Sequence, residues 1–314
     1  PARWVVTKDR HITLASEVGV WDYSPEEVQA KGRLKPGQMI AVDTETSRLL
    51  LSEDIDEMLS TRQPYEQWLQ QGLKHLTASR DHAPLSEESM DEATLNRYEK
   101  LFQVSYEERD QVLRVLASDG QEATGSMGDD TPLPVLSHKI RSLYDNFRQS
   151  FAQVTNPPID PLREKIVMSL ETCFGREHNL FREGPEHAER LVVNSPILSD
   201  HKFHALLEHP DQTRYGHVRI RMAYDPEKSS LREAIIDIAD QAERAVRDGK
   251  VILVLSDHST ERHELPVHAA LATGAVHHRL SQTGLRCDAN IVVHTGTVRD
   301  SHHAAVLIGY GATA

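Results

Sequence analysis

Val251-Ile252-Leu253-Val254-Leu255 constrains the fold of this chain more than any other stretch. Five apolar residues in succession leave no polar face, so the segment reads as a strand covered on both sides, as in a parallel sheet. Its surroundings agree. A capping box, Ser230-Leu231-Arg232-Glu233, opens a helix that ends at Gly249. A strand at about 217–223 precedes that helix, and a second helix over about 266–283 follows the apolar run. Asn290-Ile291-Val292-Val293, a short helix and Ala305-Val306-Leu307-Ile308 then read as strand, helix, strand. Alternation at this spacing argues a parallel α/β sheet.

The first half has a different style. Residues 1–51 read as β-structure: Val5, Val6, Ile12 and Leu14 flank the polar turn Lys8-Asp9-Arg10, and Met39-Ile40-Ala41-Val42 follows the turn Lys35-Pro36-Gly37. From 52 to 118 the period becomes helical. Ser105-Tyr106-Glu107-Glu108 is a second capping box, with Val112, Leu113, Val115 and Leu116 on one broad face before Gly120. The polar stretch 76–94 reads as a linker. Leu136, Ile140, Leu143, Phe147, Phe151 and Val154 recur every three or four residues, which predicts one helical stripe. Asp160 and Pro161 open a further helix with Leu162, Ile166 and Leu170 on one side. The fold expected is therefore α/β: a parallel-sheet domain with a helical lead-in, preceded by β-strands.

With 35 basic and 48 acidic residues the chain carries a net charge of −13, which disfavours phosphate backbones and anionic lipid as partners. Nucleic acid and membrane are therefore not expected partners, and no apolar run approaches the ~20 residues of a membrane span. Two cysteines, Cys173 and Cys287, make neither a disulfide framework nor a zinc site. They point to a reducing cytoplasm and read as buried structural thiols, Cys173 on a helix and Cys287 just before a strand. Adjacent histidines such as His277-His278 and His302-His303 diverge by about 100° on a helix and do not share one metal. No metal site is expected.

Ligands of open α/β sheets gather at the carboxyl ends of the strands. Here those ends read as Ser256-Asp257-His258, His294-Thr295-Gly296 and Gly309-Tyr310-Gly311. Asp257 and His258 suit acid–base work; equally, Asp and Ser suit helix caps and Gly suits turns. Gly125-Ser126-Met127-Gly128-Asp129-Asp130-Thr131-Pro132 is shaped backbone between amphipathic segments. It could grip a ligand through backbone N–H groups or serve as a structural turn with a cap. Met127 between two glycines suits contact with a flat aromatic ligand.

These runs resemble one family. Leu14-Ala15-Ser16-Glu17-Val18-Gly19, Gly32 to Met39 and Asp43-Thr44 resemble the end of a class II glutamine amidotransferase domain, the N-terminal-nucleophile type. Gly125 to Pro132, Phe151 to Pro161, Met168-Ser169-Leu170-Glu171-Thr172, Leu253 to Asp257 and Ala305 to Ala314 resemble the central domain of the glutamate synthase large (alpha) subunit of the bacterial NADPH type. The resemblance runs over essentially the whole chain. It implies three parts: the C-terminal part of the amidotransferase domain at 1–51, a helical connector at 52–118, and the central α/β domain at 119–314, cut before an FMN barrel.

In such an enzyme a cysteine-led glutaminase releases ammonia, which tunnels to an FMN site. There 2-oxoglutarate is converted to L-glutamate, with an Fe–S cluster relaying electrons from NADPH or ferredoxin. FMN and cluster are expected to be bound mainly outside this chain, with none in the chain alone. The nucleophilic cysteine also lies outside it, so no catalytic residue is assigned here and the section is expected to be inert by itself, a proteolytic or excised piece. The implied partners are the remaining domains of the large subunit, a small FAD- and NADPH-binding subunit in the NADPH type, and further copies in an oligomer.

The role expected of the section is to line the tunnel and the FMN side. Gly125, Ser126, Met127, Gly128, Asp129 and Thr131 are the expected flavin- or tunnel-facing residues, with Asn156 and Arg163 behind them, since polar groups flanked by prolines are held at little entropic cost. Two other readings stand beside this one: a standalone flavin- or nucleotide-binding module, and a structural connector between domains.

Overall fold

A computed structural model of the chain describes residues 2–77, 91–125, 132, 134–138, 140–148, 159, 161–258 and 260–314, with Leu162 described by its backbone alone. The chain divides into two compact units, residues 1–70 and 71–314.

In the first unit, β1 (Arg3–Thr7), β2 (Ile12–Ala15) and β3 (Val28–Arg33) form an antiparallel sheet in the order β2-β1-β3. The expected hairpin is present, with Val5 opposite Thr13 and Val6 opposite Ile12. Its turn places Arg10 at φ 63°, a left-handed conformation that few side chains adopt. Gly32 lies opposite Trp4, and a Cβ there would come within 2.6 Å of the indole ring. Glycine is thus what lets the ring lie across the neighbouring strand. A hairpin of β4 (Ala41–Asp43) and β5 (Arg48–Leu50) follows, then α1 (Ser52–Ser60) and α2 (Tyr65–Gly72), which spans the division.

The second unit begins with the short β6 (Lys74–His75), α3 (Glu92–Leu101) and α4 (Tyr106–Glu108). A π-helical turn at Arg109–Leu113 leads into α5 (Arg114–Asp119), and Gly120 stops it at φ 61°. Ser105 caps α4 by accepting the Glu108 N–H, and Asp91 caps α3 by accepting the Thr94 N–H at 2.7 Å. The last residues of the expected linker 76–94 are therefore helical; residues 78–90 lie outside the described residues. Then come α6 (Pro161–Val167), β7 (Thr172–Phe174), β8 (Leu191–Val193), α7 (Asp200–Leu207), α8 (Gln212–Tyr215), β9 (His217–Arg221), β10 (Ala223–Tyr224), α9 (Leu231–Arg247), β11 (Ile252–Ser256), β12 (Leu265–Pro266), α10 (Ala269–Gln282), β13 (Asn290–His294) and α11 (Ser301–Gly309).

The centre of this unit is the parallel sheet β13-β11-β9. Every residue of β11 is buried. Strand alternation sends Leu253 and Leu255 to one face, against Ile238 and Ala242 of α9 and Val276 and Leu280 of α10. Ile252 and Val254 point the other way, into Phe203, Leu206 and Leu207 of α7 and Phe174, Leu191 and Val193 of the small sheet β6-β8-β7. The five-residue apolar run is thus the middle of three layers. Burying each large side chain contributes about 1.5–3 kcal/mol.

Three expectations fail. Ala305–Ile308 is not a strand but part of α11, capped by Asp300, whose carboxylate accepts the His303 N–H at 2.8 Å. A run of four apolar residues suits a buried helix face as well as a strand. The sheet instead continues after the Gly309–Gly311 turn: the Thr313 N–H donates to the Ile291 carbonyl at 2.7 Å, and the Val293 N–H to the Ala314 carbonyl at 2.9 Å.

The predicted stripe from Leu136 to Val154 forms no long helix in its described part. Leu136 and Ile140 are exposed, and one 3₁₀ turn covers Leu143–Asn146. Ser142 caps that turn and Tyr144 is fully buried, so one tertiary anchor overrides the apolar spacing. Phe151 and Val154 lie outside the described residues. The helix after Pro161 forms as expected and ends at Val167, with Ile166 exposed on it and Leu170 exposed beyond it. Finally, Cys173 sits on strand β7 and Cys287 in a 3₁₀ turn, and both are exposed rather than buried.

Candidate functional site

The carboxyl ends of β11 and β13 carry the densest polar network among the described residues. Asp257, just past β11, is 2% exposed. It caps no helix, contrary to that sequence reading; α10 is capped by His268. Its carboxylate instead crosses to the end of β13, where the Thr295 hydroxyl donates to Oδ2 and the Gly296 N–H to Oδ1 at 3.1 Å. Thr295 Oγ1 lies 2.9 Å from Thr297 Oγ1, which lies 3.2 Å from the Tyr144 hydroxyl. With Asp257 ionised, donation runs one way, from Tyr144 through Thr297 and Thr295 to the carboxylate. Burial raises the Asp257 pKa, and the Thr295 and Gly296 bonds work against that rise. Burial also pushes Tyr144 up to about 12, so its hydroxyl stays a donor.

Helices clamp this junction. His268 and His303 flank the Tyr144 ring, at centroid distances of 4.8 and 4.3 Å, and His302 Nε2 lies 3.0 Å from the Tyr144 carbonyl. The Arg299 guanidinium donates to Glu108 at 2.6 Å, to the Phe102 carbonyl at 3.2 Å and to the Gly296 carbonyl at 3.0 Å. The Phe102 ring occupies the space a Cβ on residue 296 would need, 2.7 Å away. In this way the lead-in α3–α4 is fastened to the strand ends.

On the other side, a ladder of flat groups leads outward. Arg219 sits over Phe203 at 5.8 Å, Phe203 against His294 at 4.9 Å, and His294 stacks on His258 at 5.0 Å. Burial, with His258 and Arg219 nearby, lowers the His294 pKa and keeps it neutral. A cavity of about 250 Å³ opens beside it, walled by Phe203, Val293, His294, Leu307 and Ile308. Ser256 Oγ lies 3.3 Å from His294 Nδ1, yet the Asp257 carboxylate is committed to Thr295 and Gly296, so these three do not form a relay of nucleophile, base and orienting acid. The Asp257–His258 acid–base reading meets the same obstacle. What the junction does chemically is tie loop and helix ends together through hydrogen bonds to the Asp257 carboxylate and from the Arg299 guanidinium.

Ser126, Met127, Gly128, Asp129, Thr131 and Asn156 fall outside the described residues. Gly125 is exposed with open space around a would-be Cβ, and Arg163 lies on the exposed α6. Among the described residues no group of three or more His, Cys, Asp or Glu is placed to hold a metal. Two cysteines do not fit an Fe–S cluster, which takes about four. The Tyr144–Thr297–Thr295–Asp257 line is not read from the sequence as a unit; its sequence signals are Asp257 and Thr295, each at a strand end.

Residues 97–314 match the family model described as glutamate synthase central domain. The chain belongs to the glutamate synthase central-domain family. Ahead of it, residues 1–68 match the model for class-II glutamine amidotransferases. The chain is 41% identical over 321 residues to the chloroplastic ferredoxin-dependent glutamate synthase of Oryza sativa subsp. japonica, across 100% of this chain and 19% of that protein. It is 37% identical over 316 residues to the glutamate synthase [NADPH] large chain of Bacillus subtilis (strain 168), across 100% of this chain and 20% of that protein. To the corresponding large chain of Azospirillum brasilense it is 38% identical over 315 residues, across 100% and 21%. The chain thus spans about a fifth of the length of these glutamate synthases. Among the described residues no helix is long and apolar enough to cross a membrane.

Proposed function

We propose that this chain is the section of a glutamate synthase large chain that joins glutaminase to synthase chemistry and walls the route of ammonia between them. The parent enzyme would make L-glutamate from L-glutamine and 2-oxoglutarate, in the cytoplasm, with NADPH or ferredoxin as donor. One observation carries the reading: an amidotransferase match at 1–68 is followed by a central-domain match at 97–314, and the whole of this chain aligns with one stretch of glutamate synthases. We divide the section into an amidotransferase end at 1–51, a helical connector at 52–118 and a central domain from 119.

Ammonia crossing between sites needs rigid, neutral walls, since a proton traps it as ammonium. The buried, hydrogen-bonded strand ends supply rigidity of that kind. The residues we assign to the flavin or tunnel mouth are Gly125, Ser126, Met127, Gly128, Asp129 and Thr131, with Asn156 and Arg163 behind them. FMN and an Fe–S cluster would be held mainly by other parts of the large chain, and in an NADPH-type enzyme a small FAD- and NADPH-binding subunit would deliver electrons. The test is Met127→Ala in the intact enzyme. Glutamine-dependent synthase turnover should fall about ten-fold or become uncoupled from glutamine hydrolysis, a loss of about 1.4 kcal/mol, while basal glutaminase activity persists. Unchanged synthase kinetics would overturn the assignment.

A further inference from the structure

A cleft of about 550 Å³ opens where the last turn of α3, the paired strands β10 and β12 and the first turns of α9 and α10 meet. Arg97, Lys100 and Arg262 line it, and among the described residues none of the three has a carboxylate partner. Arg97 rests 5.3 Å from the Tyr98 ring centroid, and in a chain of net charge −13 three cations without a carboxylate partner around one cleft run against the background. Of the two glutamates in the same wall, Glu264 is taken up by Arg221 and the Glu261 N–H, and Glu261 lies 3.7 Å from His263. The first turn of α10 holds no acidic residue, so nothing there offsets the positive end of that helix. His268 Nδ1 accepts the Ala270 N–H, which places the imidazole proton on Nε2.

The rest of the wall is apolar. Leu231, Leu265 and Leu271 line the cleft and are 39%, 46% and 39% exposed, although each is a large side chain. A solvated salt-bridge face does not need three exposed leucines beside its cations. A ligand with an anionic head and an apolar body satisfies both halves of the wall.

We propose that this cleft binds a small organic anion, with a phosphate or carboxylate head against Arg97, Lys100 and Arg262 and an apolar body against Leu231, Leu265 and Leu271. The site is independent of the flavin and tunnel assignment. It also adjoins the strand-end junction: Thr260 lines the cleft while its hydroxyl donates to the Asp257 carbonyl at 2.8 Å, and His268 packs on Tyr144.

The test uses the 314-residue chain with 1-naphthyl phosphate and 1-naphthoate as fluorescent probes, and inorganic phosphate and 1-naphthol as half-ligands. At least one naphthyl anion should bind saturably, about ten-fold tighter than either half-ligand, because charge-assisted hydrogen bonds and apolar burial each contribute at that scale. Arg97→Gln with Arg262→Gln should weaken it by about ten-fold or more and flatten its salt dependence, and Leu265→Ser by about three-fold. Arg247→Gln, on an exposed face of α9, should change nothing. Circular dichroism checks that each variant is folded. Absence of saturable binding up to millimolar probe, equal affinity in the double variant, 1-naphthol binding as tightly as the anions, or an equal loss in Arg247→Gln would each overturn the proposal.

Discussion

Asp257 shows how far a residue's role can sit from its neighbours in sequence. Beside Ser256 and His258 it reads as a helix cap or half of an acid–base pair, but its partners Thr295 and Gly296 lie just past the end of the neighbouring strand β13, 38 and 39 positions on. Replacing it with Ala removes a buried carboxylate that accepts from the half-buried Thr295 hydroxyl and from the Gly296 N–H. Asp257→Ala should therefore cost about 1–3 kcal/mol, read by chemical denaturation followed by circular dichroism; a cost near zero would show that the tie does not hold the strand ends. His302 and His303 make the same point. As a sequence pair they diverge too far to share one metal and carry no sign of their partners, but both are buried on α11, where His302 meets the Tyr144 carbonyl and His303 its ring.

Elements with complete local signals were legible, and those held by distant contacts were not. For α9 the sequence carried a start, a face and a stop. Glu233 N–H donates to Ser230 Oγ at 3.3 Å, the Ser230 N–H returns to Glu233 at 2.8 Å, and Gly249 follows the end at φ 90°. Ser230→Ala should cost about 1 kcal/mol and speed hydrogen exchange in the first turn of α9 alone; unchanged exchange there would show that the box is not what starts the helix. By contrast, α11 carries a capping Asp300 but an apolar run with no preference between strand and helix. The 3₁₀ turn at Leu143–Asn146 was read as part of a longer helix because Leu136, Ile140 and Leu143 have helical spacing. That spacing says nothing of where Tyr144 is anchored.

At the scale of the whole chain, buried imidazoles link stability to pH. Burial is the main cause lowering the pKa of His217, His268, His294 and His303 below the usual 6.5. Each stays neutral in the folded state while the unfolded chain takes up protons as pH falls through 6.5. The unfolded state then binds more protons, so stability drops as pH drops. Asp257 acts in the opposite sense: burial raises its carboxyl above the usual 3.8, so its protonation relieves the folded state at lower pH and offsets part of the loss. Thermal melts should therefore show a midpoint about 1.5 °C or more lower at pH 5.5 than at pH 7.5, the shift expected for about 1 kcal/mol in a chain of this size. A flat profile across that range would show that these imidazoles are hydrated.

By itself the sequence determined the family and the layer order. Its long Gly-, Pro- and Asn-rich runs are too unusual to recur by accident, and the uninterrupted apolar strand Val251–Leu255 demands cover on both faces. It also determined the local punctuation, because caps and turn glycines act within a few residues. Only the tertiary structure decided which helix follows β13, where the sheet resumes at Thr313, and that Asp257, Thr295, Thr297 and Tyr144 form one line. The cleft at the end of α3 was likewise invisible in the sequence, because Arg97 and Arg262 are 165 positions apart. Burial and hydrogen bonding between such distant residues leave no periodic trace, since the loop that closes between them carries no record of its ends.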